Sequence, residues 1–525
     1  MGVLSVNART PKNTKALRIA IAGDLNLLDP HSLNETLTVG LLGNVMESLT
    51  RRNGDLKIEP GLATHWENLS PTHWRFHLRR KVRFHDGSPF TADDVVFSLE
   101  RARGPNSQMK RRIPADAQIV KVDDFTVDVI LKQPNPIMYY DWDNLFIMSK
   151  AWAIANRLET PHAATERVRT RAVLSANGTG PFRLLRHSPG RETVFERNYT
   201  WWGERTDNVE KVVLTTIRSA ASRVAALLSG QVDVVIPVPL EEIKRISGSQ
   251  KARVIAGSEL RTIFLNLDSF RDELKYSNVK GRNPFKDSRV RRAIYQAIDI
   301  EAIRTQLMGG YSEPSALLIS PSLFALANKF KRHPFDRAKA RELLREAGYP
   351  DGFSVVLDCP NNRYINDEAI CDAIANMLAH VKIDVKVRAV TKARFFERVT
   401  RTRLYDSSMN LLGWTPGTMD GLEIITNLAG CRDADGNGAL FNLGGYCNPE
   451  VDKLAAQART ETDLKKRDDL IAKAFRIIHD EAGLIPLHQQ PLAWGVAKGV
   501  ELTLRRDNQI RFDLMRVREL TGAPQ

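Results

Sequence analysis

The chain has 525 residues, 42% hydrophobic and 26% charged, with 76 Lys and Arg against 62 Asp and Glu for a formal charge of +14. That length exceeds one ordinary hydrophobic core and points to two to four domains of about 100–200 residues. The balanced composition, without repeat or low-complexity tract, excludes a disordered or fibrous chain, and no run approaches the roughly 18 apolar residues of a membrane-spanning helix.

The start, MGVLSVNARTPKNTKALRI, has no apolar h-region or small-residue cleavage site, so it is not an intact signal peptide, and Val6 breaks the myristoylation pattern. From Leu17, LRIAIAGD reads as a strand entering a turn. The densest basic stretch, RFHLRRKVRFHDG at 75–87, alternates Phe76, Leu78, Val82 and Phe84 with Arg and Lys. It reads as two alternating strand runs with a solvated outer face. Without a helix-turn-helix, zinc module or aromatic-basic motif beside it, no nucleic-acid partner is expected. TADDVVFSLERA then opens a helix with Thr91 as N-cap and Asp94 at N3, and DFTVDVIL at 124–131 is another strand.

After the Gly-Pro turn of NGTGPFR at 177–183 come a strand through FERN, the WWG at 201–203 and the strand VEKVVLTTI. SAASRVAALLSGQVDVVIPV reads as helix, Gly230 cap and strand, and LRTIFLNLD at 260–268 as the next strand. Beyond 284 the chain is more helical. Val290, Ala293, Ile294, Ala297 and Ile298 form one stripe, and FSVVLDCP, EAICDAIANMLAHV and KIDVKVRAV make a β-α-β unit expected to run parallel. DSSMNLLGW ends a strand at Trp414, and two helices precede the last strands, LIPLHQQPLAWGV and VELTLRR, which are expected to return to the first domain.

The four cysteines form two sequence-local pairs, Cys359 with Cys371 and Cys431 with Cys447, although the sequence alone permits three connectivities. Neither is CxxC and no His pair lies beside them, so disulfides in an oxidising compartment are expected rather than zinc. The phosphate-loop, dinucleotide, hydrolase-elbow and HExxH motifs are all missing, and no cofactor is expected. His73 and His77 are about 13 Å apart on one strand face and cannot share a metal. DADGNG at 433–438 matches half a calcium loop, but Gly444 stands where a bidentate Glu is required, so a polar turn is expected. Three loops at strand ends remain: GDLNLLDPHSLNE with Asn26 and Glu35, CPNNRYIND with Asn361, Arg363 and Tyr364, and GWTPGTMDG with Trp414, Thr415 and Asp420. Such loops form small-molecule sites at the carboxyl ends of strands in open α/β sheets. Trp414 reads equally as a core indole or a ligand-facing one.

The stretch LKIEPGLATHWE…HWRFHLRRKVRFHDGSPFTADDVVFSLERA closely resembles the signature region of the family 5 extracellular solute-binding proteins of ABC importers, the dipeptide, oligopeptide, nickel and opine group. NGTGPF, YTWWG, LLSGQVDVV, FLNLD, NPFKDSRVRRAIYQAID, REAGYPDGF and FNLGGYCNPEVDKL extend the resemblance from about Leu17 to Arg518. It implies an α/β bilobal periplasmic-binding-protein fold of the type II, or cluster C, kind. Residues 17–50, 170–262 and 480–520 would form a discontinuous first lobe, 51–169 an additional α+β domain and 263–479 the second lobe, with flexible ends at 1–16 and 521–525. A periplasmic monomer is implied, its leader removed or preceding the given start. It would close about a hinge on a small peptide or other zwitterionic or anionic solute and deliver it to a membrane permease. The alternative ligands are an opine, a sugar conjugate, a metal complex or haem, for which His31 is the only nitrogen ligand in the site loops. An enzyme using Asp420, Glu423 and Tyr364 as acid-base groups is the competing class.

In dipeptide and oligopeptide binders the loop after the Gly-Trp pair supplies an Asp for the peptide ammonium. Counting from Gly413 and Trp414, that position is Gly417 here, so the resemblance leaves the amine to Asp420 or Glu35. It also places Arg363 where dipeptide binders send an Arg to the ligand carboxylate, a role suited to a planar guanidinium.

Overall fold

The computed structural model describes residues 15–25, 27–162, 175–399, 405–432, 439 and 441–518. Its main sheet has eleven strands, and the two longest, Ala252–Leu267 and Ile485–Ala497, join its halves. They pair antiparallel from Ala252 opposite Ala497 to Leu265 opposite Ile485, with a register shift between Ser258 and Thr262. At that bulge Gln490 Nε2 donates to Glu259 Oε2 at 2.8 Å, and the Ile365 amide donates to Gln490 Oε1 at 3.2 Å. Extra residues at a bulge break the ladder and bend the strand, which makes this the natural place for the sheet to turn from one half to the other.

On one side of the crossing, Ala16–Ile21 runs parallel to both Lys211–Thr216 and Val234–Ile236, and Val234 and Val235 pair with Val496 and Gly495. The far end of the Ile485–Ala497 strand therefore pairs with the first half. On the other side, Met409–Trp414 lies against Thr262–Leu267, and Phe353–Pro360 pairs parallel with Ile383–Val390 across the helix Asp367–Ala379. The halves have separate apolar cores. One gathers Leu17, Ile19, Trp74, Phe76, Phe182, Val234 and Trp494, whereas two more are built around Ile294, Leu357 and Ile374 and around Phe395, Phe475 and Ile478.

A four-stranded antiparallel sheet, in the order Ala63–Ser70, His73–Leu78, Thr126–Ile130 and Gln118–Asp123, packs with the helix Ala92–Ala102 beside the first half. The capping box of that helix is present, with the Thr91 amide donating to Asp94 Oδ2 at 2.9 Å. The two-strand reading of 75–87 needs correction. His73–Leu78 is a strand, but its partners are Ala63–Ser70 and Thr126–Ile130. The second run follows Lys81 at φ 63° and folds back on itself, with the Phe84 amide bonded to Ser88 O at 2.8 Å, the Phe90 amide to Val82 O at 3.1 Å and a single bridge between Arg83 and Pro89, so Val82 and Phe84 are buried without joining the four-stranded sheet. Alternation alone could not separate a strand from a turn that happens to insert every second side chain.

Cys359 is bonded to Cys371 and Cys431 to Cys447. The DADGNG segment lies outside the described residues, and no group of three metal-ligating side chains occurs among those described. No described helix is long and apolar enough to cross a membrane.

Candidate functional site

A cleft of about 1480 Å³ opens between the halves, at the ends of the Ala16–Ile21 and Met409–Trp414 strands. Glu35, Arg363, Tyr364, Trp414 and Thr415 all line it, so five of the eight sequence-predicted positions come together from loops far apart in the chain. Asn361 does not line it; its amide caps the sheet by donating to Val390 O at 3.0 Å. Asn26 lies outside the described residues.

Asp420 is placed elsewhere. Both its oxygens accept from Arg467, at 2.7 and 2.8 Å, and it also caps the short helix Gly421–Ile424 by accepting from the Leu422 amide at 3.0 Å. Arg467 is almost fully buried, and a bidentate pair of this kind is held by geometry as well as charge. Asp420 is thus a structural anchor of the loop that carries Gly417, and it is not among the cleft-lining residues.

Trp414 ends its strand half-buried. Its ring lies 4.7 Å from that of Phe441, and both line the cleft, while the indole also packs against the core that holds Phe395 and Phe475. The preceding Gly413 is fixed by packing, since a Cβ there would sit 2.7 Å from Tyr364 Cε1 and 2.8 Å from Ile263 Cδ1. The Gly-Trp pair is therefore a close backbone approach followed by the wall it permits.

Arg363 is held by its backbone: its amide and that of Tyr364 donate to Asp367 Oδ2 at 2.9 and 3.0 Å. The guanidinium lies 5.3 Å from the Tyr364 ring centre. Among the described residues no carboxylate is in ion-pair contact with it. Burial, then the neighbouring Arg261, lowers its pKa, the direction expected of a cation awaiting a counter-charge. Glu35 accepts from the Thr38 amide and hydroxyl at 3.2 and 2.8 Å through one oxygen, Oε2, as the cap of the helix Thr36–Leu42.

Two cleft carboxyls were not assigned to ligand binding from sequence. Glu423 accepts from the Gly417 amide at 3.1 Å and from Asn427 Nδ2 at 3.0 Å, and burial pushes its pKa up to about 8. The Trp414 N–H faces the same carboxyl without reaching hydrogen-bond geometry. Asp141, across the cleft, is pushed up to about 7 by burial, with Arg112 opposing. It follows a short Met-Tyr-Tyr run with no periodic signal, and only three-dimensional placement reveals it. Among the described residues, seven basic ones line the cleft, Lys110, Arg111, Arg112, Arg261, Arg363, Lys392 and Arg459, against three acidic ones, Glu35, Asp141 and Glu423. His31 is no ligand for a metal in this space: it is buried, Nε2 bonds to Phe146 O at 2.9 Å, and burial lowers its pKa to about 4.

A family model described as bacterial extracellular solute-binding proteins, family 5 Middle, matches residues 57–436. The glutathione-binding protein GsiB of Salmonella choleraesuis (strain SC-B67) is 26% identical over 494 residues, covering 93% of this chain and 91% of the relative. The periplasmic binding protein DppA of Helicobacter pylori, solved with the peptide STSA, superposes with a TM-score of 0.76 at 24% identity over 96% of this chain and 98% of that one. CtaP of Listeria monocytogenes reaches 0.82 at 19% identity, covering 97% and 100%. The two-halved α/β sheet, the cleft at its strand ends and these matches agree: the chain belongs to the bacterial extracellular solute-binding proteins of family 5 and is a substrate-binding component of an ABC importer.

Proposed function

We propose that the protein captures a small zwitterionic or anionic solute, of peptide-like size, between its halves and hands it to a membrane permease. The observation that carries this reading is Arg363, a half-buried guanidinium without a carboxylate partner among the described residues, facing a cleft that the Trp414–Phe441 wall also lines. A guanidinium binds a carboxylate with two parallel hydrogen bonds, and closure strengthens them by removing water. The glutathione named for the curated relative combines two carboxylates with one ammonium, which suits a cleft with more cations than acids.

Residues 17–50, 170–262 and 480–520 act as one lobe and 263–479 as the other, with 51–169 attached to the first. The Ser258–Thr262 bulge and Gln490 form the hinge that absorbs the backbone change on opening. The protein works as a periplasmic monomer without cofactor or nucleic acid, and binding makes and breaks no covalent bond. A non-peptide anion such as an opine is the second reading, favoured by Gly417, which puts no carboxylate where peptide binders keep one. Isothermal titration with glutathione, dialanine and trialanine tests the proposal: saturable binding of at least one is expected. Failure of all three, with an amine-free diacid binding instead, would favour the second reading.

A further inference from the structure

Asp141 lines the cleft, yet among the described residues its Oδ1 is buried without any hydrogen-bond partner and neither oxygen is in an ion pair. The cations around it are engaged elsewhere. Arg112 gives Nη1 to the backbone carbonyl of Asp141 at 2.9 Å and to Asp143 Oδ1 at 3.5 Å, and Nη2 to Gly417 O at 3.2 Å. Arg467 gives two nitrogens to Asp420. The remaining cleft acids are also committed, Glu35 through one oxygen to Thr38 and Glu423 through both to Gly417 and Asn427.

A buried carboxylate oxygen without a donor costs the full desolvation of that atom, and native structures leave few such groups unmet. Because one Arg112 guanidinium touches both Asp141 O and Gly417 O, Asp141 stands beside the loop position that lacks a carboxylate. Two polar atoms of the facing loop, Thr415 Oγ1 and Thr418 Oγ1, are likewise buried without partners among the described residues.

We propose that Asp141 is the cation-recognising residue of the cleft, its carboxylate receiving a protonated primary amine of the solute from the wall opposite the 415–418 loop. The threonine hydroxyls complete the acceptors that an ammonium with three donors requires. This assignment rests on the reading of the cleft as a receptor for zwitterionic solutes. It replaces the carboxylate missing at Gly417 with one from the other side of the cleft.

Titration calorimetry with trialanine and N-acetyltrialanine decides it. Wild-type protein is expected to bind the free amine at least about tenfold more tightly than the acetylated peptide, and Asp141→Asn to bind both alike, with the melting temperature of the empty protein kept. Asp141→Ser provides the same comparison if Asn perturbs folding. An amine preference that survives in both variants, or a wild type that binds both peptides equally, overturns the assignment while leaving the receptor intact. Where glutathione binds in place of trialanine, N-acetylglutathione replaces the acetylated peptide in the same comparison, and a wild type that binds neither trialanine nor glutathione overturns the zwitterion reading beneath it.

Discussion

Arg112 donates from Nη2 to the carbonyl of Gly417 across the cleft, at 3.2 Å, and so ties the side of the four-stranded sheet to the loop that follows Trp414. Arg52 makes a parallel contact. Its Nη2 reaches Thr418 O at 3.3 Å while Nε stays on Asp143 at 2.6 Å and Nη1 on Leu56 O at 2.9 Å. Beside them Met419 packs with Leu56 and Leu260 in a small apolar cluster of its own.

The Asp143 and Leu56 partners of Arg52 lie on its own side, so separation of the halves would break its contact to Thr418 and leave these two in place. Met419→Ala removes apolar surface that Met419 buries against Leu56 and Leu260 of the other half, a loss of about 1–2 kcal/mol. The variant is expected to bind solute about tenfold more weakly and to show a larger radius of gyration by small-angle scattering. An unchanged radius and affinity would show that these contacts do not set closure.

Arg363→Ala should weaken solute binding at least about tenfold, the equivalent of about 1.4 kcal/mol. The melting temperature of the empty protein should hardly move, because the guanidinium makes no ion pair with a described residue. Calorimetry of both proteins checks this, and equal affinities would remove Arg363 from the site.

Glu423 carries a stability signature. Its folded pKa is raised to about 8 by burial, so between the ordinary carboxyl range near 4 and about 8 the folded state holds a proton that the unfolded state has lost. Stability from this group therefore falls as pH rises through that window and levels off above it. Glu423→Gln, which stays neutral, should flatten the decline: urea midpoints of wild type and variant should diverge between pH 5 and 8 in the variant's favour. Parallel pH profiles would contradict a buried, protonated Glu423.

The Cys359–Cys371 disulfide closes a sequence separation of 12 residues, and in the chain-entropy model a loop of this length contributes about 3 kcal/mol. Replacing both cysteines by Ala should lower the urea-extrapolated unfolding free energy by about that amount. No change would mean that the bridge does not constrain the unfolded chain.

Much of the fold could be read from local pattern. The Thr91–Asp94 box, the Gly230 cap at φ 83° and the parallel pairing of 353–360 with 383–390 all depend on neighbours within one unit. The site was only half legible. Trp414 and Arg363 stand at strand ends where loops meet a cleft, but the role of Asp420 was decided by Arg467, 47 residues away on another helix. Asp141 was invisible for the same reason: nothing beside it in the sequence marks it, and its chemistry arises from Arg112 and the Gly417 loop arriving from 29 positions before and from the opposite half. Capping and packing act locally, whereas a cleft is made where distant segments meet.

The most direct test of the account is native mass spectrometry of gently purified protein, wild type beside Arg363→Ala. The wild type is predicted to carry a solute of a few hundred daltons that bears a carboxylate and leaves on denaturation, with its occupancy sharply reduced in the variant. A bound compound without any acidic group, retained equally by both proteins, would contradict it.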